Sequence, residues 1–507
     1  MISKKRESGV LLNISSLKGE YPIGTFGDEV KNFANYIKTM GFHYWQTLPI
    51  TAIGLFNSPY ASVSAFAGNF LYISPDLMFR DGYIAFEALE ESKYYQQIYK
   101  VDYEQARISK RRVLEIAYAS REYKSELDAY IEKEGKWIID YATYMSIKES
   151  YNLQPWWEWP EELKYRKDKA IHDFVDAHLD RFYFYIFEQY IFDKQWQEQL
   201  QEIHKTGIKV IGDMPMYVAH DSVDVWANTQ NFQMDENLSL RNVAGVPPDF
   251  FSADGQFWGN PLYDFDHMKK NNYEWWTDRI ARMFHLYDVL RIDHFRAFSD
   301  YWSIPAGAKS AKEGCWIKGP GMDLISTINE KFTSHKIIAE DLGTIDDAVR
   351  KLLLESRYPG MKVLQFAFSD FESTHLPHNY PINTVAYTGT HDNNTTLGWV
   401  YAMDESTREY MFEYLQIDRT NWAVGGYASK TVKEIIRAII KSNAHLAVIP
   451  YQDLCGYGAD TRMNTPGVAN SNWEFRLTQE SYDNIDKEFY LRINNLYGRN
   501  NEVEEVE

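Results

Sequence analysis

Three segments of the chain end a short apolar run on a carboxylate. They read Val289-Leu-Arg-Ile-Asp-His-Phe-Arg296, Lys336-Ile-Ile-Ala-Glu-Asp-Leu-Gly343 and Val385-Ala-Tyr-Thr-Gly-Thr-His-Asp-Asn393. Each reads as a strand that delivers an acid (Asp293, Glu340 or Asp392) to the mouth of a sheet. Burying bare carboxylates costs free energy, so three placed this way point to a purpose. Paired carboxylates flanking a sugar bond are the means of glycoside cleavage. Residues two apart on an extended strand share a face, so Arg291 and Asp293 point together into the interior. A guanidinium beside a carboxylate favours the ionised form, which suits a nucleophile. Glu340 follows Ile337-Ile-Ala339. An apolar approach and nearby carboxylates raise its pKa, which suits a general acid. Its neighbour Asp341 faces the other side of the strand and reads as structural. Taken alone, Asp293 with Arg291 also fits a buried ion pair, Asp392 a helix N-cap, and His391 a structural histidine. Three independent structural explanations at one rim are harder to sustain.

Eight short apolar runs are candidate strands, over 9–17, 44–50, 209–218, 289–298, 336–343, 361–368, 383–392 and 446–454. No tight hairpin joins one to the next, and parallel strands require long crossovers. The expected fold is therefore α/β, a (β/α)8 TIM barrel with large helical and loop insertions, and the acids sit at its C-terminal rim. The alternative is a doubly wound open sheet, but no Gly-x-Gly-x-x-Gly follows the first strand. One catalytic module is expected over 1–507. A mainly helical insertion (53–205) follows the second strand, and a loop-rich insertion (217–275) covering the active site follows the third. An acidic tail occupies 500–507.

The chain has 507 residues and a net charge of −19. That charge disfavours nucleic acid and anionic membranes as partners. A neutral sugar approaches it without penalty. The 15 Trp, 37 Tyr and 28 Phe fit either sugar-binding faces or a large core. Two cysteines, Cys315 and Cys455, make no disulfide framework, and a reducing, cytoplasmic setting is expected. No signal-like or membrane-spanning run is present in the sequence. No metal and no cofactor is expected. His375-Leu-Pro-His378 makes a poor metal pair, since Pro377 breaks the helix such a pair would use. Pro155-Trp-Trp-Glu-Trp-Pro160 reads as packing between the helical insertion and the barrel rather than as a sugar platform.

Further motifs run the length of the chain: Ser58-Pro-Tyr60, Ser64-Ala-Phe-Ala-Gly-Asn69, Gly212-Asp-Met-Pro215, Gly245-Val-Pro-Pro-Asp249, Trp258-Gly-Asn-Pro-Leu-Tyr263, Arg291-Ile-Asp-His-Phe-Arg296, Ala339-Glu-Asp-Leu-Gly343, Thr390-His-Asp-Asn393 and Arg462-Met-Asn-Thr-Pro-Gly467. In this order they resemble the 4-α-glucanotransferases, or amylomaltases, relatives of the α-amylases. The resemblance implies Asp293 as nucleophile, Glu340 as acid/base and Asp392 as transition-state stabiliser. It implies substrate-binding roles for Arg291, Asp213, His294 and His391 around the sugar at the cleavage site, and for Tyr60 as a stacking tyrosine. Asp249, Phe251 and Trp258 would lie in a loop over the acceptor side, and Arg462 and Asn464 near the bound glucan. Departures at Ala61, Phe70, Phe250 and Asp254 bear on chain-length preference, not on the reaction. The expected activity is transfer of α-1,4-glucan segments to glucose or another glucan by a retaining double displacement. The rivals are an α-glucan hydrolase on the same fold and a non-catalytic glucan-binding protein.

Overall fold

The computed structural model describes residues 5–54, 57–94, 99–248, 254–468 and 470–500. Its strands, in chain order, are β1 (Glu7–Leu11), β2 (Tyr44–Gln46), β3 (Lys209–Met214), β4 (Asn242–Val246), β5 (Gln256–Pro261), β6 (Val289–Ile292), β7 (Asp300–Pro305), β8 (Cys315–Lys318), β9 (Lys336–Ala339), β10 (Gly360–Val363), β11 (Thr384–Tyr387) and β12 (Leu446–Pro450). Eight of them pair in parallel in the order β10-β11-β12-β1-β2-β3-β6-β9. These are the eight runs read from the sequence. The Ala339 N–H donates to Pro359 C=O at 2.9 Å across the β9–β10 seam, and the ring closes as a (β/α)8 barrel.

The strands are shorter than the apolar runs that announce them, because burial continues past the ladder. After β6 the chain turns into a 3-10 segment, Phe295–Phe298, whose four residues are all buried. After β10 it does the same over Leu364–Phe366. Helices on the outside present apolar stripes at a spacing of three and four. In Lys430–Lys441, Val432, Ile435, Ile436, Ile439 and Ile440 are buried, and the Ser429 side chain accepts from the Val432 N–H to cap the first turn. Close packing constrains the strands as well. A Cβ on Gly212 would lie 2.0 Å from the Tyr287 ring, so the middle of β3 tolerates no side chain there.

Between β2 and β3 the chain is mostly helical and ends in Leu179–Lys205, a helix of 27 residues. This helix grips the segment leading away from β2 through two glutamines. Gln189 accepts from Gly68 N–H at 2.7 Å and donates to Gly68 C=O at 3.0 Å. Gln195 does the same for Ser74. Each side-chain amide thereby satisfies a buried peptide that has no ladder partner. The Trp-rich motif packs inside, as expected, but its partners lie in the segment after β3 rather than on the barrel strands. Trp156 is fully buried and donates from Nε1 to His220 C=O at 2.8 Å, Trp157 stacks on His220 at 4.0 Å, and Trp159 meets Trp226 edge-on at 5.6 Å.

The segment after β3 differs from its loop-rich expectation. It contributes β4 and β5 to a four-stranded antiparallel sheet, ordered β5-β4-β7-β8. β4 pairs locally with β5, but its other partner β7, with β8 behind it, comes from beyond β6, so nothing local in the Gly- and Pro-rich sequence announces the sheet. Among the described residues no helix is long and apolar enough to cross a membrane.

Candidate active site

The floor of the site is polar because the barrel interior is. Tyr387 on β11 donates to Gln46 Oε1 on β2 at 2.8 Å. Arg291 on β6 lies opposite Asp213 on β3 in the parallel register. Its Nη1 contacts both Asp213 oxygens at 2.7 Å and lies 3.0 Å from Asp293 Oδ1. The common face predicted for Arg291 and Asp293 is thus observed. Asp213 has no exposed surface, and its Oδ2 also accepts from Tyr60 OH at 2.7 Å. Asp213 was expected among the substrate-binding residues. It is fully buried and anchors Arg291 and Tyr60, which differ in exposure: Arg291 is buried and Tyr60 partly open.

Asp293 and Glu340 each stand one residue beyond a strand end, after β6 and β9. His294 adopts the left-handed conformation, φ 51° and ψ 48°. That turn ends β6 and aims two amides at the neighbouring strand end. His294 N–H donates to Glu340 Oε2 at 2.7 Å, and Phe295 N–H to Glu340 C=O at 3.0 Å. Leu342 N–H donates to Glu340 Oε1 at 2.7 Å. These amides favour the carboxylate, but burial and the adjacent Asp293 charge outweigh them and push Glu340 up to about 7. Burial also raises Asp293, to about 6, against the opposing pull of Arg291. The guanidinium acts in the direction read from the sequence but does not win. Each carboxylate opposes ionisation of the other, so the two titrate as a pair and share one proton over part of the pH range.

Asp392 lies in the loop after β11, and its environment does the opposite. Burial would raise it, but the His391 charge, its hydrogen bond and that of Asn464 hold the carboxyl well below the usual range. His391 Nε2 is 3.3 Å from Asp392 Oδ2, and Asn464 Nδ2 donates to Oδ1 at 2.6 Å. Arg462 Nη2 donates to Asp392 C=O at 2.5 Å. Asp392 is not a helix cap. The following helix, Thr396–Ala402, is capped by Thr395. Asp453, buried beyond β12, holds the loop by accepting from Thr388, from Thr396 N–H and from Thr396 Oγ1 at 2.6–2.7 Å. Half of the Asp392 side chain, 49%, and 29% of that of Asp293 remain open to the cleft.

Aromatic rings form the walls. Tyr60 stacks on His391 with centroids 4.9 Å apart and planes 17° apart. Trp473 closes the same corner, 5.8 Å from Tyr60 and 5.9 Å from His391. On the opposite wall Trp258 of β5 meets His294 edge-on at 5.0 Å, with Tyr217 behind at 6.3 Å from Trp258. Trp258 is 39% exposed. Burial lowers His294 to about 4, so it presents a neutral imidazole. Asp249 and Phe251 lie outside the described residues. Sequence reasoning missed Trp473 and Tyr217; Tyr217 follows Gly212-Asp-Met-Pro215 closely enough to have been suspected, while Trp473 carries no local signal. His375 and His378 have separate partners: His375 Nδ1 accepts from Val363 N–H at 3.1 Å, and His378 pairs with Tyr414 OH at 2.7 Å.

Comparison with known proteins agrees with this geometry. Residues 12–481 match the family model described as 4-alpha-glucanotransferase. The 4-alpha-glucanotransferase of Aquifex aeolicus is 40% identical over 97% of this chain and 99% of its own. The amylomaltase of Streptococcus agalactiae, solved in complex with acarbose, superposes with a TM-score of 0.93 at 36% identity, covering 98% of this chain and 100% of that one. The amylomaltase of Corynebacterium glutamicum shares the fold at 18% identity, with a TM-score of 0.75 over 97% of this chain and 75% of that one. Strand order, three carboxylates at one rim and similarity along nearly the whole length converge: the chain belongs to the 4-alpha-glucanotransferase family.

Proposed function

We propose that the protein transfers segments of α-1,4-glucans to the 4-hydroxyl of glucose or another glucan, with retention, through a covalent glucosyl–Asp293 intermediate. The observation that carries this reading is the division of labour among the carboxylates. Asp293 lies 3.0 Å from the Arg291 guanidinium, Glu340 is gripped by two backbone amides yet pushed up by burial, and Asp392 is held low by His391 and Asn464. Asp293 attacks the anomeric carbon as the glycosidic C–O bond breaks, and Glu340 gives its proton to the departing 4-oxygen. Glu340, now ionised, takes the proton of the incoming 4-hydroxyl as that oxygen displaces Asp293. Asp392 lowers the energy of the positive charge that builds at the anomeric carbon. One α-1,4 bond is broken and one is made, so no nucleotide sugar is needed.

Tyr60, backed by His391 and Trp473, supplies a flat apolar face for a pyranose ring on the donor side. Arg462 and Asn464 steady Asp392 and border the same glucan. Trp258 and the neutral His294 line the acceptor side, where the insertion 217–275 holds the acceptor and keeps out water. Water is abundant at about 55 M, so transfer depends on positioning, which is worth orders of magnitude in rate. Two unpaired cysteines, Cys315 and Cys455, support a reducing compartment, and we place the protein in the cytoplasm.

The test is covalent trapping. Glu340→Gln incubated with an α-glucosyl fluoride, whose leaving group needs no acid, should accumulate one glucosyl unit on the peptide holding Asp293. Asp293→Asn in the same background should accumulate none. Absence of a labelled Asp293 peptide, with turnover of the fluoride intact, would exclude the double displacement.

A further inference from the structure

The ladder of the barrel is interrupted at one place. Seven strand pairings join the eight strands, and β9 has no ladder with β10. At this seam Ala339 N–H bonds to Pro359 C=O, Glu340 C=O serves β6 by accepting from Phe295 N–H, and Met361 N–H on β10 turns to a side-chain acceptor. Met361 is fully buried, and its N–H would be left without a partner, at a cost of about 1–3 kcal/mol. Asp341 fills the gap: its Oδ1 accepts from Met361 N–H at 2.6 Å. The approach leaves no room for a side chain at Gly360 unless this carboxylate moves. A Cβ on Gly360 would lie 2.7 and 2.8 Å from the two Asp341 oxygens.

Both ends of this clasp lead to the reacting groups. Met361 Sδ accepts from Arg291 Nε at 3.4 Å, and Arg291 is the guanidinium 3.0 Å from Asp293. Asp341 itself sits between Glu340 and Leu342, whose N–H holds Glu340 Oε1. Anchoring the Asp341 side chain therefore fixes the peptide that aims this amide.

We propose that Asp341 is a positioning residue: a side-chain substitute for the missing ladder bond that closes the barrel between β9 and β10 and holds both Glu340 and the Arg291–Asp293 pair in register. This rests on the reading of Asp293 and Glu340 as the working carboxylates. Its role needs an acceptor oxygen at Oδ1 and no charge, which makes it separable from an electrostatic effect.

Asp341→Ala, Asp341→Asn and Gly360→Ala are compared with the unaltered protein in maltotriose turnover, pH profile and thermal unfolding. Misplacement of reacting groups by about 1 Å costs on the order of 100-fold in rate, so Asp341→Ala should lower kcat by about that factor with KM within about twofold. Its alkaline limb should move to higher pH, because a loosened Leu342 amide and a loosened Arg291 both cease to favour ionised Glu340. Asp341→Asn, which keeps an acceptor oxygen, should restore most of kcat. Gly360→Ala, acting from the opposite strand, should reproduce the alanine phenotype and serves alone if Asp341→Ala does not fold. Equal losses in Asp341→Ala and Asp341→Asn would overturn the proposal, as would an unaltered kcat and pH profile in Asp341→Ala with only the unfolding temperature lowered. Glu340→Gln is the control for the underlying reading: full transfer activity in that variant would refute the catalytic assignment, whatever Asp341 does.

Discussion

Replacing Asn464 with alanine isolates how Asp392 is kept anionic and aimed. Asn464 Nδ2 makes the shorter of the two side-chain contacts to this carboxylate, 2.6 Å against 3.3 Å for His391. The backbone of Asn464 is anchored separately: its N–H donates to His391 C=O at 3.1 Å, and its C=O accepts from Arg462 Nε at 2.6 Å. The loop should therefore stay in place when the side-chain amide is removed. A hydrogen bond to a charged group contributes about 1.5–3 kcal/mol, or about tenfold to somewhat over 100-fold in rate. Asp392 keeps 49% of its side chain exposed, so water recovers part of the lost bond and the lower half of that range applies. The expected loss in kcat/KM is about 10- to 30-fold, read as initial glucose release from maltotriose, with the unfolding temperature unchanged. Asn464→Asp should be worse at neutral pH, because a second carboxylate faces Asp392, and should recover as the pH is lowered. A kcat/KM for Asn464→Ala within twofold of the unaltered protein would show that the Asn464 amide does not sustain Asp392 in the reaction.

The pH dependence of kcat/KM should be a narrow bell, since Asp293 must be ionised and Glu340 protonated; its acid limb lies near 6 and its alkaline limb near 7. A broad plateau to pH 9 would contradict that assignment. Burial raises Glu340 above its unfolded value, so the folded state is penalised as the pH rises from that value through about 7. Glu340→Gln should accordingly abolish transfer yet unfold at a higher temperature than the unaltered protein at pH 8. Trp258→Ala removes the ring beside His294 and should raise the ratio of hydrolysis to transfer by about tenfold, measured as new reducing ends against released glucose; an unchanged ratio would count against the acceptor-side role. Asp193 and Arg282 form a buried pair at 2.6 Å between Leu179–Lys205 and Glu274–Leu286. Asp193→Ala should cost about 3–5 kcal/mol in urea unfolding. Arg282 overcomes the effect of burial and holds Asp193 below its usual pKa, so the stability of the pair is present above the unfolded carboxylate value and is lost as the pH falls through the lower, folded one.

The barrel was legible because each strand is a short run buried on both faces, and such runs stand out against amphipathic helices. The acids at strand ends were legible for the same reason: a carboxylate directly after Leu-Arg-Ile or Ile-Ile-Ala conflicts with its apolar approach. The sheet of β4, β5, β7 and β8 was not legible. Asn242 pairs with Pro305 and Val243 with Ile304, a match about 60 residues apart that local propensity does not encode. Nor was the full burial of Asp213. Sequence places Asp213 and Arg291 on adjacent strands, but only the register shows that Tyr60 and Arg291 consume both of its oxygens. The net elevation of Asp293 was missed because the sequence shows the cation beside it and not the depth of burial. Trp473 reaches the donor-side corner from the far end of the chain, in a left-handed conformation with φ 68°, and no spacing rule brings it to Tyr60.

The central claim is that a bound glucan, not water, takes the glucosyl unit from Asp293. Purified protein is incubated with maltotriose alone, and the products are resolved by chain length over time while total reducing ends are counted. The expected products are glucose together with a ladder of shorter and longer maltooligosaccharides at a nearly constant number of reducing ends. Glucose and maltose with steadily rising reducing ends, and no products longer than maltotriose, would contradict that claim and make the protein a hydrolase.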